Sequence, residues 1–214
     1  MKDYIWKPHG IPIRVQGIPL EPILAFKQFV MPGIRDVDWI EDSSKVTDTG
    51  MSKREWLGLI LHALALMDLT GDKSLVAKMF ENDDGGLVRV CDNGAVYIEQ
   101  TLATHMDKRY NSVHDALAGQ IKDKSSRGQN YADNRHLLVF CNMDGVFEEN
   151  KISVEVSKGC FNIVNILAFS SSRQYLSLIF DREKSDGPIH KYVISETELI
   201  KSAMNLDELP IEKV

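Results

Sequence analysis

Glu99 ends a short apolar run, residues 95–98, and its position is the first indication of a reactive site. Such a run is expected to form a strand packed into a core, whereas a glutamate is rarely buried without a partner. Either the strand reaches water at Glu99, or the carboxylate is held at the edge of the core to do chemistry. Asp84 adds a second carboxylate earlier in the chain. Carboxylate oxygens are the hard ligands that Mg²⁺ prefers.

A predicted hairpin sets the geometry of these two carboxylates. Asn93 and Gly94 separate two apolar runs, and both residues tolerate the positive φ that a tight turn requires. If they form a two-residue turn, Glu99 pairs with Val88, and Asp84 shares its face. Asp84 lies about 13 Å beyond Val88 along an ideal strand, so the chain must bend at the Gly-Gly pair between them for the carboxylates to meet. Otherwise Asp84 is an ordinary loop residue.

A helix with one apolar stripe is predicted to follow the hairpin, over residues 111–124. The stripe consists of Val113, Leu117 and Ile121. Lys124 lies three helical turns after the first of these, and Gln120 lies one turn before Lys124, so both fall on the sheet-facing side. A lysine in the last turn also complements the helix dipole, which is the alternative role for Lys124.

The order of these features resembles the core of the PD-(D/E)XK, or restriction-endonuclease-like, nuclease superfamily. The resemblance spans about residues 52–141. It is carried by the run Asp83-Asp84-Gly85-Gly86-Leu87-Val88, the hairpin, the run Ile98-Glu99-Gln100-Thr101, the helix with Gln120 and Lys124, and the following strand, residues 137–140. In that superfamily an Asp on the first hairpin strand and a Glu or Asp near the end of the second bind a divalent metal. A Lys two residues further on polarises the scissile phosphate or the attacking water.

The resemblance implies a metal-dependent endonuclease acting on nucleic acid. Asp84 and Glu99 would be ligands of Mg²⁺ or Mn²⁺, which stabilises developing negative charge on a phosphate and lowers the pKa of an attacking water. Thr101 stands where the superfamily usually has its Lys, and some members carry that Lys on the following helix. Lys124 would then polarise the phosphate, and Gln120 would orient water or ligand.

The alternative is a noncatalytic relative that uses the same fold for protein binding or structural support. Thr101 in the usual Lys position favours this alternative, because a hydroxyl cannot supply the positive charge. The pI of about 5.5 also favours it.

The elements around the site are predicted from capping residues and apolar patterns. Ser52 and Glu55 have the spacing of a capping box before the apolar run at residues 56–67, which predicts a helix covered on nearly all sides. His62 on that helix is predicted to be a packed or hydrogen-bonded core residue. The continuous apolar run at residues 136–141 predicts a central strand buried on both faces.

Shorter segments are assigned in the same way. A short helix is predicted at 73–80, strands at 152–156 and 175–180, a strand or short helix at 163–169, a last strand at 192–194, and a C-terminal helix at 196–204. Together these elements predict a single α/β domain over residues 1–214. Its restriction-endonuclease-like mixed central sheet is flanked by helices, and N-terminal and C-terminal segments embellish a nuclease-like core at about 52–141.

Composition limits the classes of function. The chain has 214 residues, 43% of them hydrophobic and 26% charged, which is typical of a globular protein. A net charge of −6 argues against nonspecific coating of nucleic acid but permits a local basic patch. Without an apolar run of roughly 18 residues or a signal-like N-terminus, a cytoplasmic protein that does not contact membranes is expected. The oligomeric state, including a homo-oligomer, is left open.

Overall fold

A computed structural model of the chain describes residues 3–6, 13–33, 45–46, 51–79, 87–91, 94–169 and 173–205. The strands are β1 (Asp3–Trp6), β2 (Ile13–Leu20), β3 (Lys45–Val46), β4 (Met51–Ser52), β5 (Leu75–Met79), β6 (Leu87–Cys91), β7 (Gly94–Thr104), β8 (Arg135–Asn142), β9 (Ile163–Phe169), β10 (Gln174–Asp181) and β11 (His190–Ser195). Nine of them form one mixed sheet in the order β1-β2-β5-β6-β7-β8-β9-β10-β11. The neighbours β7, β8 and β9 are parallel, and the other pairs of this sheet are antiparallel.

Helices cover both faces of this sheet. They are α1 (Pro22–Ala25), α2 (Lys53–Thr70), α3 (Val113–Ser125), α4 (Gln129–Ala132), α5 (Glu149–Lys158) and α6 (Glu196–Asn205), and a π-helical segment, Phe26–Val30, continues α1. The crossover connections β7-α3-α4-β8 and β8-α5-β9 place α3 and α5 on one face, where they pack together. The π-helical segment, α2 and α6 share a core with the opposite face. Among the described helices, none is both long and apolar enough to span a bilayer.

Helix α2 is apolar on nearly all sides because it lies between the sheet and a second layer of helices. Its predicted capping box is present, since the Ser52 side chain accepts from the Glu55 N–H and the Glu55 carboxylate accepts from the Ser52 N–H. Trp56 stacks on Phe29 of the π-helical segment with ring centres 4.3 Å apart. A Cβ atom at Gly58 would lie 2.6 Å from the Phe140 ring, so glycine permits the close approach of α2 to β8.

Strand β8 divides the two halves of the core, as its continuous apolar sequence predicts. Leu138 and Phe140 pack on the α2 side, whereas Leu137 and Val139 pack on the α3 side. Because successive side chains of a strand point to opposite faces, a strand buried on both faces needs an apolar residue at every position.

Two segments differ from the sequence prediction. The segment at 73–80, predicted as a helix, contains β5, because its backbone pairs with β2 and β6 and strand pairing overrides weak local preference. The segment at 152–156, predicted as a strand, lies within α5. Ile152 and Val156 are fully buried one helical turn apart, whereas Val154 between them is 39% exposed. The same three apolar residues match a two-residue period when the tertiary contacts are unknown.

Candidate functional site

The β6–β7 hairpin positions Glu99 in a register that differs from the prediction. Val88 pairs with Tyr97 rather than with Glu99, and Cys91 pairs with Gly94. Gly94 therefore belongs to β7 and adds one more residue pair to the hairpin. Asp84 lies three positions before Leu87, outside the described residues, as does the Gly-Gly pair that follows it.

Glu99 and Lys124 form an ion pair between β7 and the last turn of α3. The Lys124 ammonium donates to one oxygen of the Glu99 carboxylate. The Glu99 side chain is 11% exposed and the Lys124 side chain is 19% exposed, so the pair lies at the edge of the core and still reaches solvent. Lys124 was predicted to lie on the sheet-facing side of its helix, and its contact with Glu99 brings two of the four proposed site residues together.

A second contact lies beside this ion pair. The Thr101 hydroxyl donates to the side-chain oxygen of Gln120 at 2.5 Å, and Gln120 is 7% exposed. Two residues along a strand advance about 6.6 Å and four residues along a helix about 6 Å, so these contacts align when α3 runs antiparallel to β7. Gln120 thus lies near the Glu99–Lys124 pair, and Thr101 is its direct partner.

Tyr131 and Arg127 also lie beside Glu99, and neither was among the site residues predicted from the sequence. Arg127 donates from Nη1 to the Tyr131 hydroxyl at 2.7 Å and lies 3.9 Å from Oε1 of Glu99. Burial, the hydrogen bond to Glu99 and the negative charge of Glu99 together raise the pKa of Tyr131 to about 12. The Tyr131 hydroxyl therefore stays protonated at neutral pH and donates to the carboxylate.

Arg135 extends this group of cations and aromatic rings. Its guanidinium carbon lies 4.6 Å from the centre of the Tyr131 ring and 5.6 Å from the centre of the Tyr97 ring. Arg127 and Arg135 flank Tyr131 at four-residue intervals in sequence. This four-residue spacing is the feature of the sequence that could have identified the group, because the rest of the segment resembles the polar end of a helix.

A separate polar cluster lies under α2, on the other side of the sheet. Asn165 donates from Nδ2 to Nδ1 of His62 at 2.8 Å, and Nε2 of His62 lies 3.0 Å from Nδ1 of His136. The Ser177 hydroxyl donates to Oδ1 of Asn165 at 2.9 Å. We call these four residues the His62 cluster. His62 and Asn165 are fully buried, which confirms that His62 is a hydrogen-bonded core residue.

The oxygen atoms near Glu99 are of the kind that bind a divalent cation, but they are few. Glu99 is the carboxylate at this position, and Thr101 and Gln120 add neutral oxygen atoms. Within the described ranges, no three His, Cys, Asp or Glu side chains are grouped so that they could hold a metal ion. Mg²⁺ is commonly bound by one or two carboxylates together with waters and substrate phosphates, so Glu99 meets the minimum requirement.

The interpretation of this site depends on its own geometry. The chain matches no family model, no curated protein and no solved structure. The arrangement combines one carboxylate, which can bind a cation, with an adjacent ammonium group and guanidinium group, which can bind an anion. A phosphate with its counter-cation is a ligand that needs both kinds of group side by side.

Proposed function

We propose that this chain is a divergent member of the PD-(D/E)XK, or restriction-endonuclease-like, superfamily that hydrolyses phosphodiester bonds in nucleic acid. The contact between Glu99 and Lys124 carries the proposal. Glu99 belongs to β7 and Lys124 to α3, and the two side chains meet at a solvent-accessible edge of the core. In that position Glu99 could bind a metal ion and Lys124 could bind a phosphate. The mixed α/β sheet with parallel neighbours β7 and β8 is compatible with such a core.

Each side chain has a defined role in this proposal. A bound Mg²⁺ or Mn²⁺ would supply Lewis-acid stabilisation of the phosphate and acidify a water molecule. Glu99 would be a metal ligand and Asp84 the second carboxylate. Lys124 would turn from Glu99 to a phosphate oxygen and stabilise the charge that develops there, while Gln120, held by Thr101, orients a water molecule.

Cleavage of labelled oligonucleotides in Mg²⁺ or Mn²⁺ tests the proposal. We expect Glu99→Gln to abolish cleavage and Lys124→Met to slow it by about 100-fold or more, because each removes a charge that acts directly on the metal or the phosphate. The matched control is Glu155→Gln, which removes a carboxylate that also pairs with a lysine, Lys158, at 2.7 Å on the surface. This control should cleave at the wild-type rate. Equal cleavage by wild-type protein and Glu99→Gln would contradict the proposal.

A noncatalytic nuclease-fold protein that serves as a binding or structural module is the second candidate. It is favoured by the way the polar groups satisfy one another, since Glu99 accepts from Lys124 and Tyr131, and Gln120 accepts from Thr101. Calorimetric titration with Mn²⁺ distinguishes the two candidates. Binding heat that disappears in Glu99→Gln supports the nuclease, whereas an identical titration of both proteins supports the noncatalytic module.

A further inference from the structure

Two arginines and two tyrosines alternate beside the candidate site. We call Arg127, Tyr131, Arg135 and Tyr97 the Arg–Tyr ladder. The guanidinium carbon of Arg127 lies 4.8 Å from the centre of the Tyr131 ring, and Arg135 lies over both tyrosines. Tyr97 and Arg135 are direct partners in the pairing of β7 with β8, so the sheet itself holds the end of the ladder in place.

The ladder concentrates positive charge in an acidic protein. Lys124 and Arg127 both lie beside one carboxylate, Glu99, and Arg135 adds a third cation over the Tyr131 ring. The Arg127 side chain is 46% exposed and the Glu99 side chain 11% exposed, so the cation faces solvent more than the carboxylate does. Arg135 forms no ion pair with any carboxylate of the described residues. In a chain of net charge −6, such a local excess of cations indicates a binding site for an anion.

Arg109 shows that stacking of arginine on tyrosine does not by itself produce this excess. Its guanidinium carbon lies 5.1 Å from the centre of the Tyr110 ring. However, Arg109 also forms ion pairs with Asp107 at 2.7 Å and with Asp123 at 3.0 Å. Two carboxylates therefore neutralise Arg109, whereas Arg127 and Lys124 share the single carboxylate of Glu99 and Arg135 pairs with no carboxylate of the described residues.

We infer that the Arg–Tyr ladder binds single-stranded nucleic acid. Guanidinium planes and tyrosine rings stack on bases, and guanidinium groups also bind phosphate, so the ladder offers both contacts that each nucleotide can make. Only a single strand exposes the faces of its bases. A duplex hides them and carries twice the charge per unit length, which the acidic remainder of the protein repels. The inference rests on the proposed function, because it names the substrate class of the site at Glu99.

Binding to a fluorescent oligothymidylate in EDTA tests the ladder separately from hydrolysis. We expect Arg135→Ala to weaken the affinity about tenfold, the effect of losing one stacked base together with its phosphate contact. The matched control is Arg109→Ala, which removes an exposed arginine stacked on a tyrosine elsewhere and should change the affinity less than about twofold. Equal affinities of Arg135→Ala and wild-type protein would overturn the inference.

Two further probes examine the chemistry of recognition. An abasic strand of the same length keeps the phosphates and loses the bases, so it should bind about tenfold more weakly. The corresponding duplex should also bind more weakly. Equal binding of the abasic strand, or tighter binding of the duplex, would overturn the inference. Arg135→Lys keeps the charge without the planar group and should give an affinity between Arg135→Ala and wild type. It replaces the alanine variant if that variant does not fold.

The proposed function and the inference fail in different ways. Oligonucleotide binding by wild-type protein in EDTA, without any metal-dependent cleavage, would support the inference and contradict the proposed function. Cleavage that depends on Glu99, together with oligonucleotide binding and cleavage that are unchanged in Arg135→Ala and Arg135→Lys, would support the proposed function and contradict the inference.

Discussion

The sheet carries a polar cluster on each face, and the two clusters differ in charge and in access to water. On the α3 side, Glu99 is surrounded by Lys124, Arg127 and the Tyr131 hydroxyl, and the group reaches solvent. On the α2 side, the His62 cluster joins α2 to β8, β9 and β10 through neutral hydrogen bonds, with His62 and Asn165 fully buried.

The hydrogen bonds of the His62 cluster have one consistent direction. An amide nitrogen can only donate, so Nδ1 of His62 accepts from Asn165, and Nε2 of His62 carries the proton that it donates to His136. His62 is therefore neutral in this arrangement. A buried chain of neutral hydrogen bonds stabilises one packing of α2 on the sheet. The charged cluster at Glu99 instead reaches solvent, where a ligand can bind its charged groups.

The largest effect on stability is expected from breaking the neutral cluster. Asn165→Ala removes the donor to His62 and the acceptor for Ser177, so two buried polar groups each lose a hydrogen bond. We expect the free energy of unfolding to fall by about 2–4 kcal/mol. Denaturant unfolding measures this change. Asn162→Ala, at an exposed position, is the control and should stay within about 0.5 kcal/mol of wild type. A similarly small change for Asn165→Ala would show that the cluster contributes little to folding.

A smaller effect is expected at the ion pair between Glu99 and Lys124. A double-mutant cycle with Glu99→Gln and Lys124→Met should give a coupling free energy of about 1–2 kcal/mol, between the values for surface pairs and buried pairs. The comparison pair is Glu155 and Lys158 on α5, for which we expect a coupling of about 0.3–0.5 kcal/mol. Equal coupling in the two pairs would mean that partial burial adds nothing at Glu99.

The smallest effect is expected at alkaline pH and involves Tyr131. Its pKa is raised from 10.0 to about 12, so the folded protein holds this proton more tightly than the unfolded chain does. The stabilisation is complete below pH 10 and is lost as the pH rises toward about 12. The difference in stability between wild-type protein and Tyr131→Phe should therefore shrink over that range in denaturant unfolding. A difference that stays constant would show that Glu99 and burial do not hold the proton.

Local signals in the sequence were sufficient for the helices with clear caps and stripes. The capping box at Ser52 and the apolar stripe of α3 each depend on residues within a few positions of one another, and both elements were predicted. The segments that form β5 and α5 were predicted wrongly, because so few apolar residues fit the two-residue period of a strand and the 3.6-residue period of a helix equally well. Their state was decided by contacts with elements that are distant in sequence.

The candidate site shows the same division. The period of α3 was enough to place Gln120 and Lys124 on its sheet-facing side, whereas the contact with Glu99 also depends on which face of β7 the helix covers. The sequence did not reveal that Tyr131 and Arg127 would also contact Glu99, because the four-residue spacing of this segment does not show which strand the segment contacts. The partners of His62 were hidden for a similar reason, since Asn165 and Ser177 are single polar residues within otherwise apolar strands.

The sequence by itself therefore determined the mixed α/β class, the faces of the main helices and the sheet-facing positions of Gln120 and Lys124, because those properties follow from periodicities of two and 3.6 residues. Only the tertiary structure decided the register of β6 with β7, the pairing of Tyr97 with Arg135 and the chain of contacts from Ser177 to His136. These contacts join residues that are far apart in sequence. They form only when packing and hydrogen bonding bring several strands and helices together at once.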